Sequence, residues 1–298
     1  AEAVETAVKI ARRWAYEKKG IPENQAQIVV CKNNFHGRTT TVISFSNDEG
    51  AKKNFGPFTD GFIQVAYSDE GALEEVFKAN PNIAAFLVEP IQGEAGVFVP
   101  ADGFLAKARA LCDAHNVLMI CDEIQTGIAR TGKLLASCGN CTCPNRDCSE
   151  TPEVKPDVLI LGKAISGGAY PVSAVLANKP IMEVITPGSH GSTFGGNPVA
   201  AKVAMAALDV VKEERLAENA FHLGNLFRVL MQEYIDKSNV VRLVRGKGLL
   251  NAIVINDSEE SDTAWNICMR LRDHGLLAKP THGNIIRFAP PLVMTEAQ

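Results

Sequence analysis

Short apolar runs alternate with amphipathic stretches along this 298-residue chain, and the runs end at polar or ionisable groups. Residues 27–31 lead into Asn33-Asn34-Phe35-His36-Gly37-Arg38-Thr39. Ala84-Ala85-Phe86-Leu87-Val88 ends at Glu89-Pro90, and Val117-Leu118-Met119-Ile120-Cys121 ends at Asp122. Val158-Leu159-Ile160-Leu161 is followed by Gly162-Lys163, and Ser173-Ala174-Val175-Leu176-Ala177 makes a further run. Between them, helical periodicity covers roughly 1–19, 72–78, 103–115 and 198–212. Strands that alternate with helices imply βαβ units and a mainly parallel sheet covered on both faces. Ligands of such sheets sit beyond the carboxyl ends of the strands. Phe35, Glu89, Asp122 and Lys163 all fall just past a strand end.

The helical stretch 198–212 carries almost no charge before Asp209, which predicts packing on both sides. After about residue 213 the texture changes. A charged helix over 213–236 is followed by strands near 240–244 and 249–255, a helix over 262–274 and a strand at 285–288. This reads as a second, smaller βαβ-like piece, so the expected domains are 1–212 and 213–298. The net charge of −4 makes no electrostatic case for nucleic acid or a membrane surface. No apolar run is long enough to span a bilayer. The chain opens at Ala1 inside a helical pattern and stops at Thr295-Glu296-Ala297-Gln298 as another pattern begins. Both ends therefore read as cut, and any targeting segment would lie upstream.

Lys163 has Gly162 before it and Gly167-Gly168 after it, which gives the backbone freedom where a ligand must approach closely. A lysine so placed is either a surface residue or, if buried, a nucleophilic amine. Asp122 ends a five-residue apolar run, where an unpaired carboxylate is costly. It is either a structural ion pair or cap, or the partner of a cationic ring nitrogen. Together the two residues are the minimal equipment for pyridoxal phosphate chemistry. Gln125, three residues on, is placed to bond a ring hydroxyl. Phe35 and Ile124 are either core or the two covers of a flat ring. The loop Gly191-Ser192-Thr193-Phe194-Gly195-Gly196-Asn197-Pro198 enters a helix, and its hydroxyls and amides suit a phosphate. Arg38 and Arg287 are candidate carboxylate clamps. Arg287 lies in an apolar strand and needs a partner there, for which Glu94 is the candidate.

The eight cysteines divide into two sets. Cys31, Cys112, Cys121 and Cys268 sit in apolar elements and read as core. Cys138, Cys141, Cys143 and Cys148 crowd one loop, for which zinc binding, redox-labile disulfides and no role all stay open.

Several segments together resemble one family. They are Asn34-Phe35-His36-Gly37-Arg38-Thr39, Val88-Glu89-Pro90-Ile91-Gln92-Gly93-Glu94-Ala95-Gly96, Asp122-Glu123-Ile124-Gln125-Thr126-Gly127, Leu161-Gly162-Lys163-Ala164, His190-Gly191-Ser192-Thr193-Phe194-Gly195-Gly196-Asn197-Pro198 and Arg245-Gly246-Lys247-Gly248. Through them the chain is similar to the class III, fold-type-I aminotransferases. Leu276-Leu277-Ala278-Lys279-Pro280-Thr281-His282-Gly283 with Ile285-Ile286-Arg287-Phe288-Ala289-Pro290-Pro291 points to the subgroup acting on the δ-amine of ornithine.

The resemblance implies an α/β fold with a mainly parallel central sheet flanked by helices, plus a smaller C-terminal α/β domain. It implies a two-half reaction on pyridoxal 5'-phosphate, with 2-oxoglutarate as amine acceptor and glutamate 5-semialdehyde and glutamate as products. Lys163 would hold the cofactor and shuttle the proton, and Asp122 would pair with the ring nitrogen. Gln125 would contact the ring hydroxyl, and Phe35, His36 and Ile124 would line the ring. Ser192 and Thr193 would reach the phosphate of a neighbouring subunit, which implies a homodimer. Arg38, Glu89, Glu94 and Arg287 would handle substrate, with Glu94 masking Arg287 while ornithine is bound. A mitochondrial matrix or cytoplasmic location follows from the same resemblance.

Three features depart from the family pattern. His36 stands where Trp or Tyr is usual, the cysteine loop looks inserted, and an N-terminal phosphate cradle and substrate aromatics are missing. The polypeptide as it stands is therefore expected to be a poor catalyst. The rival readings are an acetylornithine or other ω-amino acid aminotransferase, and a non-catalytic assembly subunit.

Overall fold

The alternation of strands and helices produces a six-stranded sheet in the computed structural model, which describes residues 2–138 and 154–298. Its strands are β1 (Gln27–Cys31), β2 (Phe62–Val65), β3 (Ile83–Val88), β4 (Leu118–Asp122), β5 (Val158–Leu161) and β6 (Ala174–Ala177). The order is β2-β1-β3-β4-β5-β6. All pairs are parallel except β5–β6, so the sheet is mainly parallel as expected. The chain divides into two units, and this sheet belongs to the first, made of 1–90, 100–125 and 137–208.

Each central strand feeds both faces, because successive side chains point to opposite sides. Ile28, Val30, Leu87, Leu118 and Ile120 pack in one apolar cluster with the helix Glu2–Trp14. Val29, Phe86, Val88, Met119 and Cys121 pack in another, under the helices Glu70–Ala79 and Phe104–Ala114. All six residues of β3 are buried. Full burial of each of its large apolar side chains contributes roughly 1.5–3 kcal/mol, and Phe86→Ala would cost about 3–5 kcal/mol. The expected N-terminal helix holds to Trp14, then widens into a π-helical turn, Ala15–Lys19, closed by Gly20 in the left-handed region. Cys31, Cys112, Cys121 and Cys268 are buried and unpaired, as core residues.

The second unit comprises 91–99, 126–136 and 209–298. A cut at residue 212 assigns the first two of these segments to the large domain, whereas here they belong with the C-terminal part. Its sheet holds β7 (Val241–Lys247), β8 (Leu250–Ile255), β9 (Lys279–His282) and β10 (Ile285–Phe288), in the order β7-β8-β10-β9. Every pair is antiparallel, which corrects the βαβ-like expectation. Gly248-Leu249 and Gly283-Asn284 are two-residue links, and parallel neighbours need a crossover of a dozen residues or more. One face carries Ile253, Ile255 and Ile286 against the helices Leu216–Ile235 and Thr263–Asp273. The other carries Leu250, Ala252, Val254 and Ile285 against Ile91, Val97 and Val99.

The helix Pro198–Glu213 departs from expectation. Only Ala200 is buried, while Val199, Met205, Leu208 and Val210 are exposed. Low charge in a helix signals apolar surface, and burial of that surface depends on what packs beside it.

Candidate active site

Strands β1, β3, β4 and β5 are adjacent and parallel, so their carboxyl ends share one sheet edge. That edge brings Phe35, His36, Glu89, Asp122 and Lys163 to the same side of the first unit. The registers Val88↔Cys121 and Asp122↔Ile160 put Glu89 beside Asp122, with Lys163 three residues past Ile160. Lys163 is exposed in this single chain. Its φ of 43° lies in the left-handed region, at a cost of about 1–2 kcal/mol for a side-chain-bearing residue. Gly162 explains how the chain makes this turn. A Cβ there would lie 3.1 Å from Ile124 Cγ2, so glycine lets β5 end against Ile124.

Asp122 is 4% exposed and well bound. Its Oδ1 accepts from the Ile124 amide at 3.1 Å, and its Oδ2 lies 2.7 Å from His36 Nδ1. A carboxylate offers about four acceptor positions, so capacity remains for a ring nitrogen. His36 is therefore a partner of Asp122 beneath the sheet edge, a role its place in the motif did not reveal. Its Nε2 is buried without a hydrogen-bond partner. Glu89 is also buried, and its Oε2 accepts from the Phe35 amide at 2.9 Å. Tyr67 Oη donates to the Glu89 and Pro90 carbonyls at 3.1 and 3.0 Å, which fixes the chain after β3.

Electrostatics separate these groups. Burial pushes the Glu89 carboxyl up to about 7; His36 opposes this, the charge of Asp122 adds to it, and the Phe35 amide and Lys163 oppose it. Burial works against a charged His36, but the hydrogen bond and charge of Asp122, with Glu89 behind, raise it above its ordinary value. Below about pH 7, burial thus leaves Glu89 neutral beside the Asp122–His36 pair. The donor set fits a cationic aromatic ring bearing an aldehyde: a buried carboxylate, an amine on the next strand end and a half-buried apolar side chain, Ile124, between them.

The remaining first-unit candidates are more open. Gln125 and Phe35 are half-buried, while Ser192 and Thr193 are exposed. Ser192 Oγ donates to Glu2 Oε2 at 3.2 Å. Asn197 Oδ1 accepts from the Ala200 amide at 2.9 Å and so caps the helix that the glycine-rich loop enters. Arg38 pairs with Asp48 at 3.2 Å and stacks 5.3 Å from the centre of the Phe35 ring. Exposed pairs of this kind contribute only about 0–1 kcal/mol, so Arg38 can change partner at little cost.

In the second unit, Arg287 Nη1 donates to Glu94 Oε1 at 2.6 Å, with both side chains mostly shielded. The expected pairing is therefore present. Arg130, read from sequence only as part of a loop, donates to the Leu249 carbonyl at 3.0 Å and the Pro290 carbonyl at 2.6 Å. Burial lowers its guanidinium to about 10. An arginine two residues before glycine was its only local signal. The side chains of Cys138, Cys141, Cys143 and Cys148 lie outside the described residues, so the zinc and redox readings have no geometry here. Among the described residues there is no metal-ligand cluster of three or more, and no helix is long and apolar enough to cross a membrane.

Comparison with known proteins extends this geometry. The Aminotransferase class-III family profile matches residues 1–298. The mitochondrial ornithine aminotransferase of Drosophila melanogaster is 57% identical over 297 residues, covering 100% of this chain and 65% of that protein. A crystal structure of ornithine aminotransferase from Toxoplasma gondii ME49 superposes with a TM-score of 0.92 at 50% identity, covering 99% of this chain and 67% of that one. Acetylornithine aminotransferase from Elizabethkingia anophelis gives a TM-score of 0.85 at 58% identity, covering 100% and 68%. The chain thus spans about two thirds of the length of the curated relatives it matches.

Proposed function

The chain belongs to the class III aminotransferases, which depend on pyridoxal phosphate, and we propose that it serves transfer of the δ-amine of ornithine to 2-oxoglutarate. The Glu94–Arg287 pair carries this reading. The two substrates differ in charge, since one brings a single carboxylate and the other brings two. An arginine covered by a releasable carboxylate serves both: masked for the first, exposed for the second. The names of the D. melanogaster and T. gondii relatives support the same substrate.

Pyridoxal phosphate, when bound, supplies an electrophilic carbon for the amine and a sink for the electrons released at the substrate carbon. Lys163 would hold it through Nζ, and the same amine, once released, would accept the proton lost by the amine-bearing substrate carbon. Asp122, held by His36, would keep a proton on the ring nitrogen. Gln125 would bond the ring hydroxyl, and Phe35 and Ile124 would line the ring. Ser192 and Thr193 bond a phosphate across a homodimer interface. Arg38 and Arg287 bind substrate carboxylates, and Glu89 contributes a carboxyl that stays neutral below about pH 7. The mitochondrial relative supports a mitochondrial location.

The test is to supply ornithine and 2-oxoglutarate to the cofactor-loaded protein and trap the cyclic pyrroline formed from the semialdehyde. Efficient turnover of ornithine supports the proposal. Turnover of N-acetylornithine with none of ornithine would overturn it in favour of the second reading, which the E. anophelis neighbour favours.

A further inference from the structure

Segment 91–99 carries Glu94 and lies over one face of the second unit's sheet, where Ile91, Val97 and Val99 pack on Leu250, Ala252, Val254 and Ile285. Two arginines of that sheet hold it. Arg245 on β7 stands opposite Ala252 on β8, and Arg287 on β10 stands opposite the same Ala252. Residues directly opposite across antiparallel strands share a face. The two guanidinium side chains therefore rise in one transverse row, about 10 Å apart at the backbone, with a small side chain between them. Arg287 holds the Glu94 carboxylate. Arg245 holds the backbone two residues further on: Nε and Nη2 both donate to the Gly96 carbonyl, at 2.9 and 2.7 Å. Its guanidinium also lies 3.9 Å from the centre of the Phe98 ring.

The two grips differ in kind. The Glu94–Arg287 contact is a side-chain ion pair, which a competing carboxylate can displace. The Arg245 contact is to a neutral carbonyl and an aromatic face, so it does not depend on the charge of Glu94. Local geometry reinforces it. Gly96 has a φ of 124°, and a Cβ there would come within 2.7 Å of Ile285 Cδ1, so the segment sits tight on β10. Gln92 and Phe98 exchange backbone hydrogen bonds at 3.1 and 3.0 Å, closing the segment into a loop with Glu94 near its tip.

We infer that Arg245 is a positioning residue: it anchors the backbone of segment 91–99 so that only the Glu94 side chain swings when Arg287 is released. The inference rests on the reading of Glu94 and Arg287 as a substrate switch. Anchoring keeps Glu94 at a high effective concentration beside Arg287, so the mask re-forms after each dicarboxylate leaves.

The experiment compares Arg245→Gln and Arg245→Lys with the parent protein, cofactor-loaded, by two readouts. The first is hydrogen exchange of the Val97 and Phe98 amides. The second is the ratio of kcat/KM for ornithine to that for glutamate. Arg245→Gln is expected to speed exchange in this segment and to lower the ratio on the order of fivefold. Arg245→Lys, which keeps the charge without the planar fork, should recover part of both. Unchanged exchange, or an equal loss with both substrates, would overturn the inference. If Arg245→Gln does not fold, Phe98→Leu removes the stacked ring and should shift both readouts in the same direction by less; no shift would also overturn it. Glu94→Gln serves as the control for the switch itself. A ratio unmoved by Glu94→Gln sinks the switch reading, whereas a ratio moved by Glu94→Gln but not by Arg245→Gln sinks the anchor alone.

Discussion

The first unit gathers Glu89, Asp122 and His36 from the ends of three neighbouring parallel strands, in a buried cluster with more acid than base. The second unit sets one glutamate against one arginine, on a loop and an antiparallel strand. In the cluster, like charges crowd, and burial resolves the conflict by protonation: Glu89 is pushed up to about 7 while His36 holds Asp122. In the pair, opposite charges meet, and no such conflict arises. A cluster set on rigid strand ends suits chemistry that must be the same in every turnover. A pair whose partner sits on a loop suits a choice made afresh with each substrate.

The sharpest way to break this comparison is at the cluster's edge. Lys163→Ala is expected to lower transamination by about 10⁴-fold or more, because one residue serves as nucleophile and proton carrier. Steady-state rates with ornithine and 2-oxoglutarate check it, and a rate within tenfold of the parent would remove Lys163 from the chemistry. Asp122→Asn should follow, with a loss on the order of 10³-fold, since it removes the charge that keeps a ring nitrogen protonated. An equal loss in Asn and Glu variants would point to geometry instead of charge.

Smaller effects are expected from the second unit. Glu94→Gln should lower the ornithine-to-glutamate ratio of kcat/KM about tenfold, as a shielded arginine loses its counter-charge. If both substrates suffer equally, the pair is structural.

The smallest effect concerns stability and pH. Glu89 in the folded protein titrates above its ordinary value of 4.5, at about 7. The folded state therefore binds the proton more tightly than the unfolded state. Its contribution is fully present below about pH 4.5 and is lost as pH rises through about 7, a change on the order of 3 kcal/mol. His36, also raised, acts in the same direction. Apoprotein melting should thus fall between pH 5 and pH 8, and Glu89→Gln should flatten that slope. A slope identical in parent and variant would show that Glu89 titrates normally.

Much of the cluster was legible before any coordinates. Apolar runs ending in Glu89, Asp122 and Lys163 are local patterns, and parallel neighbours necessarily bring their carboxyl ends to one edge. The partner of Arg287 was also legible, because an arginine in an apolar strand requires one. What stayed hidden was who stands behind whom. His36 meets Asp122 across 86 residues of chain, and Arg245 meets Gly96 across 149. Nothing in either local motif encodes such a meeting. The helix Pro198–Glu213 is a related case, since its low charge reports apolar surface and not what covers it.

By itself, then, the amino-acid sequence determined most of the elements, though not the strands Phe62–Val65 and Lys279–His282, together with the polar groups at the strand ends and the mainly parallel first sheet, which follow from periodicity and turn residues within a few positions. Only the tertiary structure decided that the second sheet is antiparallel, that His36 lies beneath Asp122, and that Arg245 and Arg287 share one row around Ala252. Those outcomes depend on strand order and register, which are set by packing between segments far apart in the chain.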